Sequence, residues 1–145
     1  IDGWLGADTD EEFESLHKHG AKTIAIGDGG NELGTGKLFD VTRRVVDHGE
    51  DIAAAQTADI TLASGVSNWW GWGIAAIASV YLNRNVLPDE HEERAVLCAI
   101  LDAGAVDGIT KRSEESIDNI DIDKHIALLN EVHSMVKNYL DKQAE

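Results

Sequence analysis

The chain has 145 residues, of which 43% are hydrophobic, and its 27 acidic and 12 basic side chains give a formal net charge of −15. This length suits a hydrophobic core, and we expect residues 1–145 to form a single domain. The negative charge is spread along the chain and repels phosphate backbones and anionic lipid, which excludes nucleic acid and membrane surfaces as partners. An acid excess with few lysines is typical of proteins that stay hydrated in strong salt, so we expect a halophilic source.

The first predicted elements are a helix and a strand. The capping-box spacing of Thr9 and Glu12 predicts the start of a helix, and Gly20 predicts its end. The β-branched residues between Lys22 and Gly27 then predict a strand. This strand ends abruptly in glycine.

A glycine-rich loop follows the strand. Gly27 is followed by four more glycines within nine residues, and these are interleaved with Asp28, Asn31 and Glu32. Glycines cluster where the backbone adopts positive φ or approaches a ligand closely. In open α/β sheets, ligands bind at the carboxyl ends of the strands. The sequence therefore predicts a site in this loop, and a plain glycine-rich turn is the alternative.

A second strand leads into a second polar corner. A helix over Leu38 to Val46 and a strand over Asp59 to Ala63 are predicted. The next stretch, Ser64 to Gly73, is predicted to be a loop and contains three of the four tryptophans. Its Ser67 and Asn68 can cap the following helix or bind a ligand, and the free N–H groups of a helix N-terminus favour an anion. Both roles stay open on the sequence alone.

The second half of the chain is predicted to be mainly helical. An apolar helix from about Gly73 to Asn83 should be buried against the sheet, and a helix from Pro88 to Gly104 should bury the single cysteine, Cys98. A C-terminal helix begins near Asp121. Strands that alternate with helices predict an α/β fold, a layered domain with a mainly parallel sheet flanked by helices. The apolar residues of the C-terminal helix share one face, at Ile122, Ile126, Leu129, Val132, Val136 and Leu140.

The sequence shows no targeting features. No apolar run approaches the ~20 residues that a membrane span needs, and no secretory or transit signal is visible at the start. We therefore expect a cytoplasmic protein. The chain begins with Ile1 rather than methionine, so we expect a fragment or a processed product.

The segment Gly27 to Glu32, GDGGNE, resembles a motif of haloacid-dehalogenase-like phosphatases. In that family a GDGxND motif after a strand holds magnesium, and the resemblance assigns this role to Asp28. The nucleophile of the family lies in a DxD motif at the end of an apolar strand. The candidate here, Asp8–Thr9–Asp10, has no such strand before it. This resemblance also leaves the tryptophan-rich stretch unexplained.

The chain is similar over most of its length to the C-terminal part of D-glutamate cyclases. Members of that family carry a GDGGNExGxGK segment, which matches Gly27 to Lys37, and an ADx(L/I)xxxGVSNW segment followed by Gly, which matches Ala58 to Gly71. An ER motif with a later GAxxG matches Glu93 to Gly108, and a histidine near the start of the last helix matches His125. Two uncommon motifs in the same order identify this family better than the phosphatases, and we expect a halophilic prokaryotic member.

The sequence departs from that family at two places. Thr35 stands where the family usually has Met, and Trp69–Trp70 stand where we expect one Trp followed by Gly. Family members are also longer. We therefore expect an N-terminal portion of the family to be absent here, together with residues that take part in the chemistry.

The resemblance implies a lyase that cyclises D-glutamate to 5-oxo-D-proline with loss of water. The α-amine must lose a proton before it attacks, and Asp28 and Glu32 are the candidate bases. The γ-carboxylate needs donors or a cation for its developing oxyanion. Lys37 matches the family's lysine and is the first candidate cation. A divalent metal, Mg²⁺ or Mn²⁺, held by Asp28 and Glu32 is the other.

Further residues complete the expected site, and Asn31 joins Asp28 and Glu32 in the catalytic group. The expected ligand is a small acidic amino acid, and a homo-oligomer is left open. Two alternatives remain, a magnesium-dependent phosphatase and a non-catalytic module that binds an acidic amino acid or another anion. The expected substrate-binding residues are Gly29, Gly30, Lys37, Gly65, Ser67, Asn68, Trp69 and His125.

Overall fold

The computed structural model describes residues 9–143, which fall into two compact units, one that ends at Trp70 and one that begins at Gly71. Each unit combines helices with a two-stranded sheet, parallel in the first and antiparallel in the second. The predicted α/β fold with a parallel sheet is confirmed, whereas the single domain stays a prediction. Among residues 9–143, no helix is both long and apolar enough to cross a bilayer.

Two parallel strands organise the first unit. Strand β1 (Ile24–Gly27) pairs with β2 (Ile60–Ala63), and Gly27 lies opposite Ala63. Because both strands end at the same edge, the segments that follow them start side by side. The helical elements of this unit are α1 (Thr9–Lys18), a 3₁₀ turn (Gly36–Leu38), α2 (Phe39–Val45), α3 (Gly49–Ile52) and the first turn of α4 (Ser67–Tyr81).

Asp59 ties the amino ends of β1 and β2 together. Its carboxylate accepts hydrogen bonds from the Lys22 ammonium at 2.9 Å and from the Thr23 backbone N–H at 3.0 Å. The Asp59 backbone N–H donates to the Thr23 hydroxyl at 3.1 Å. The Lys37 ammonium donates to the Asp59 carbonyl. These contacts clamp the edge of the sheet that lies opposite the carboxyl ends of the strands.

We expect the Asp59 clamp to lose its contribution to stability in acid. Hydrogen bonds from the Lys22 ammonium and the Thr23 N–H lower the pKa of Asp59 from its ordinary 3.8 to about 2. A carboxyl group with a lowered pKa stabilises the fold above its ordinary pKa, and this stabilisation is lost as the pH falls through the folded-state value. Asp59→Asn should therefore lower the Tm by several degrees at pH 6 and by much less at pH 2.

Thermal melts followed by circular dichroism at both pH values measure this difference. The matched control is Asp47→Asn, which removes an exposed carboxylate in the turn after α2. A Tm difference between Asp59→Asn and the parent chain that is the same at pH 6 and pH 2 would contradict the role of the ionised clamp.

Helix α6 (Ile122–Gln143) provides the buried face of the second unit. The predicted apolar face is confirmed, because Leu129 is 0% exposed and Val136 is 3% exposed. Arg94 of α5 (Glu90–Asp102) joins the two helices, since its guanidinium bonds Glu90 at 3.0 Å and Asp123 at 2.5 Å. A capping box formed by Asp89 and Glu92 starts α5, next to the Pro88 signal in the sequence.

The second unit contains a hairpin that was not predicted from the sequence, formed by β3 (Ser116–Ile117) and β4 (Ile120–Asp121). Its turn residues, Asp118 and Asn119, have φ of 53° and 60°. Tight hairpins need such positive φ angles, and Asp and Asn tolerate them better than most residues. The Asp-Asn pair between β-branched residues was therefore a usable signal for this hairpin.

Asp107 holds the loop that precedes this hairpin. Its carboxylate accepts a hydrogen bond from the Ser116 hydroxyl at 2.6 Å and others from the backbone N–H groups of Ile109, Thr110 and Asn119. The hydrogen bond from Ser116 contributes most to holding the pKa of Asp107 well below its ordinary value. Asp107 is therefore ionised and fully used in shaping the loop.

Two predictions about burial are wrong. Cys98 was predicted to be buried and is exposed. It lies on α5, which has no buried residue and whose Val96 is 57% exposed. Helix α4 is not buried throughout, since Ile77 is 64% and Tyr81 is 87% exposed. Apolar composition shows that a helix has a face to bury, but it does not show that a neighbouring element covers that face.

Candidate functional site

The two polar corners predicted from the sequence are the glycine-rich loop after β1 and the segment after β2. They meet in the first unit. Asp28 follows β1 and Ser67 opens α4, and the Ser67 hydroxyl donates to the Asp28 carboxylate at 3.1 Å. The Ser64 N–H donates to the Gly27 carbonyl at 3.1 Å, which continues the strand pairing into the corner. Asp28 is exposed and Ser67 is half-buried. The two corners therefore form one polar surface that a ligand can reach.

Glu32 folds back over the glycine-rich loop. Its Oε1 accepts the N–H groups of Asp28 at 3.0 Å and Gly29 at 2.9 Å, and its Oε2 accepts the N–H of Gly30 at 2.9 Å. Burial opposes the charge on this carboxyl group, but the hydrogen bonds from the Gly29 and Asp28 N–H groups outweigh it, so the pKa of Glu32 lies below its ordinary 4.5. Glu32 is therefore ionised at neutral pH and shapes the loop.

This arrangement engages groups that were expected to bind substrate. Gly29 and Gly30 were predicted to bind substrate, and their N–H groups donate to Glu32. Glu32 was predicted as a base or metal ligand, and its carboxylate faces these N–H groups. In this geometry, Glu32 and the loop glycines position Asp28.

The predicted divalent metal fits this donor set poorly. The Glu32 carboxylate already accepts three N–H groups. Across residues 9–143, no group of three or more His, Cys, Asp or Glu side chains is placed to hold a metal ion. Metal binding by Asp28 and Glu32 stays a prediction, and it would require Glu32 to leave its loop partners.

Two of the glycines are needed for close packing. A Cβ at Gly27 would lie 2.3 Å from Glu32 Oε2. Gly30 has a φ of +78°, and a Cβ there would lie 2.0 Å from the hydroxyl of Thr42 on α2. A side chain at either position would displace Glu32 or α2, so the glycines allow the carboxylate to fold over the loop.

The second corner is the first turn of a helix rather than a loop. Helix α4 begins at Ser67 and not near Gly73. Ser and Asn favour helix starts, and packing overrides the low helix propensity of the glycines that follow. Asn68 is exposed, Trp69 is half-buried, and the indole N–H of Trp70 donates to the Ala63 carbonyl at 3.0 Å.

The remaining predicted site residues of the first unit do not all lie where Asp28 and Ser67 meet. Asn31 is exposed and lines a cleft of about 160 Å³ together with residues 51–56. Gly65 is exposed just before α4. Lys37 is not brought to the corner, because its ammonium bonds Asp59 at the amino ends of the strands. The DxD candidate at residues 8–10 begins outside the described residues.

His125 belongs to the second unit and is fully buried. Its Nε2–H donates to the Ile117 carbonyl at 3.2 Å, and its ring meets the edge of Trp72 with centroids 6.3 Å apart. The Trp72 indole N–H donates to Glu93 at 3.4 Å. Within this unit, the family-motif residues His125 and Glu93 therefore support packing, and a substrate role for His125 stays a prediction.

Comparison with known proteins identifies the family of the chain. A family model described as "D-glutamate cyclase-like, C-terminal" matches residues 2–133. The mitochondrial D-glutamate cyclase of Homo sapiens is 41% identical over 78 residues, which cover 48% of this chain and 13% of the human protein. The similarity thus extends over a small part of that longer relative. The match over residues 2–133 shows that this chain belongs to the D-glutamate cyclase-like C-terminal family.

Proposed function

We propose that this chain catalyses the cyclisation of D-glutamate to 5-oxo-D-proline with loss of water. Membership of the family supports the reaction class. The single observation that carries the proposal is the 3.1 Å hydrogen bond from Ser67 to Asp28. It brings the exposed Asp28 carboxylate beside a hydroxyl group at the start of a helix, and in this proposal that carboxylate is the base.

In the proposed reaction, Asp28 takes a proton from the α-ammonium group of the substrate. The neutral amine then attacks the γ-carboxyl carbon, a C–N bond forms, and a C–O bond breaks. Asp28 passes this proton to the departing oxygen and then moves a second proton from the attacking nitrogen to the same oxygen, which leaves as water. One D-glutamate therefore gives one 5-oxoproline and one water, and no further reactant is needed.

The start of α4 is suited to the charge that develops on the other γ-oxygen. The exposed Asn68 amide is a donor, and the helix N-terminus favours negative charge. The proton of the Ser67 hydroxyl is donated to Asp28 and helps to hold the base. Glu32 contributes indirectly, because its hydrogen bonds to the N–H groups of Asp28, Gly29 and Gly30 hold the base in place.

The direct test is to incubate the purified chain with D-glutamate and to follow 5-oxoproline by chromatography. Parallel reactions contain Mg²⁺, Mn²⁺ or a chelator, and L-glutamate and protein-free buffer serve as controls. Protein-dependent formation of 5-oxoproline supports the proposal. Calorimetric binding of D-glutamate without turnover would favour the binding-module alternative, and release of phosphate from small esters would favour the phosphatase.

A further inference from the structure

We propose that this site turns over γ-amides of D-glutamate, the D-glutamine class, faster than D-glutamate itself. The inference rests on the proposed cyclisation and concerns which γ-acyl group the site accepts. It follows from where the first unit places its positive charges and its hydrogen-bond donors. A γ-carboxylate brings a negative charge to the corner, whereas a γ-carboxamide does not.

The positive side chains of the first unit are held elsewhere. Residues 9–70 contain five lysines and arginines, and each has a partner outside the corner. The two at the amino end of the sheet, Lys22 and Lys37, both bond Asp59. Lys18 pairs with Glu14 at 3.7 Å, and Arg43 pairs with Glu50 at 3.5 Å. The Arg44 guanidinium donates to the Asp40 backbone carbonyl at 2.9 Å.

The backbone of the glycine-rich loop does not supply the missing positive potential. Its N–H groups at Asp28, Gly29 and Gly30 donate to the ionised Glu32. Within residues 9–70, the corner therefore presents carboxyl, hydroxyl and amide groups and carries negative charge, in a chain with a formal charge of −15. This surface attracts the α-ammonium group of an amino acid and repels a second carboxylate on the same molecule.

A γ-carboxamide suits the same groups. Its NH₂ can donate to the Asp28 carboxylate, and its carbonyl can accept from the amide of the exposed Asn68. In the reaction, the α-amine attacks the γ-carbonyl carbon, a C–N bond to the α-nitrogen forms, and the C–N bond to the amide nitrogen breaks. Asp28 passes the proton taken from the α-ammonium group to the leaving nitrogen, and it takes up the proton that the attacking nitrogen loses as the lactam forms. Ammonia leaves from D-glutamine, and an amine leaves from a substituted γ-amide.

The experiment compares D-glutamine, D-glutamyl-γ-methylamide and D-glutamate with the full chain. Product 5-oxoproline and released ammonia or methylamine are measured, and the spontaneous rate of each compound is subtracted. We expect kcat/KM to be roughly tenfold or more higher for the two amides. We also expect KM for D-glutamate, but not for D-glutamine, to fall as NaCl rises from 0.1 to 1 M, because salt screens the repulsion.

The outcomes separate the two proposals. Turnover of D-glutamate with equal or lower activity on the amides overturns this inference and leaves the proposed function standing. No protein-dependent turnover of any of the three compounds overturns both. A variant adds an independent check, since Asn68→Lys adds a cation directly after Ser67 in the first turn of α4 and should shift the ratio of kcat/KM values toward D-glutamate by about tenfold. An unchanged ratio in a folded Asn68→Lys variant would count against the electrostatic argument.

Discussion

Asp28→Asn should nearly abolish the formation of 5-oxoproline while the chain stays folded. The substitution keeps the size of the side chain and removes the group that accepts the proton of the α-amine. General bases contribute about 10²–10⁴-fold to rate, so kcat/KM should fall by that order. Because Asp28 is exposed, the Tm should change little. Initial rates of 5-oxoproline formation and thermal melts measure the two effects.

The matched control for this variant is Asp47→Asn, another exposed aspartate after a secondary-structure element of the first unit. It removes the same charge from the chain without touching the corner. Its rate should equal that of the parent chain. A normal rate in Asp28→Asn, or an equal loss of rate in Asp47→Asn, would remove Asp28 from the mechanism.

Glu32→Gln should lower both activity and stability. One carboxylate oxygen becomes an NH₂ group, so a donor replaces one of the acceptors that face the N–H groups of Asp28, Gly29 and Gly30. A donor left without an acceptor is costly, and the loop that carries Asp28 should shift. We expect kcat/KM to fall by roughly 10–100-fold and the Tm to fall by several degrees.

The combination of readouts distinguishes a positioning role from a direct one. If Glu32 were the base or a metal ligand, Glu32→Gln would lose rate while keeping its Tm, or would change its dependence on Mg²⁺ or Mn²⁺. If Glu32 holds the loop, rate and Tm fall together and added metal changes neither. Glu50→Gln is the control, because the Glu50 side chain is 77% exposed and pairs only loosely with Arg43 at 3.5 Å.

The parallel strands and the meeting of the two corners were predictable from local patterns. A β-branched run that ends in Gly27 and a second run that ends at Ala63 are strand signals, and parallel strands bring their carboxyl ends to one edge. Asp28 and Ser67 follow those ends directly. The sequence alone therefore predicted that Asp28 and Ser67 lie close together.

The directions of side chains were not predictable in the same way. Spacing places Glu32 and Lys37 in the same motif, but one folds into the loop and the other reaches Asp59 at the far edge of the sheet. The start of α4 at Ser67 was not predicted. Trp and Gly are weak helix formers, and tertiary packing overrides their low helix propensity. The halophilic source, the cytoplasmic location and a homo-oligomer stay predictions.

The surface position of Cys98 affects how this protein is handled. It is the single cysteine of the chain, so air oxidation can link two molecules through one bond and no other. A reductant in the assay buffer prevents that crosslink. The same thiol allows a maleimide dye to be attached at one defined point on α5, which provides a fluorescent reporter without further engineering.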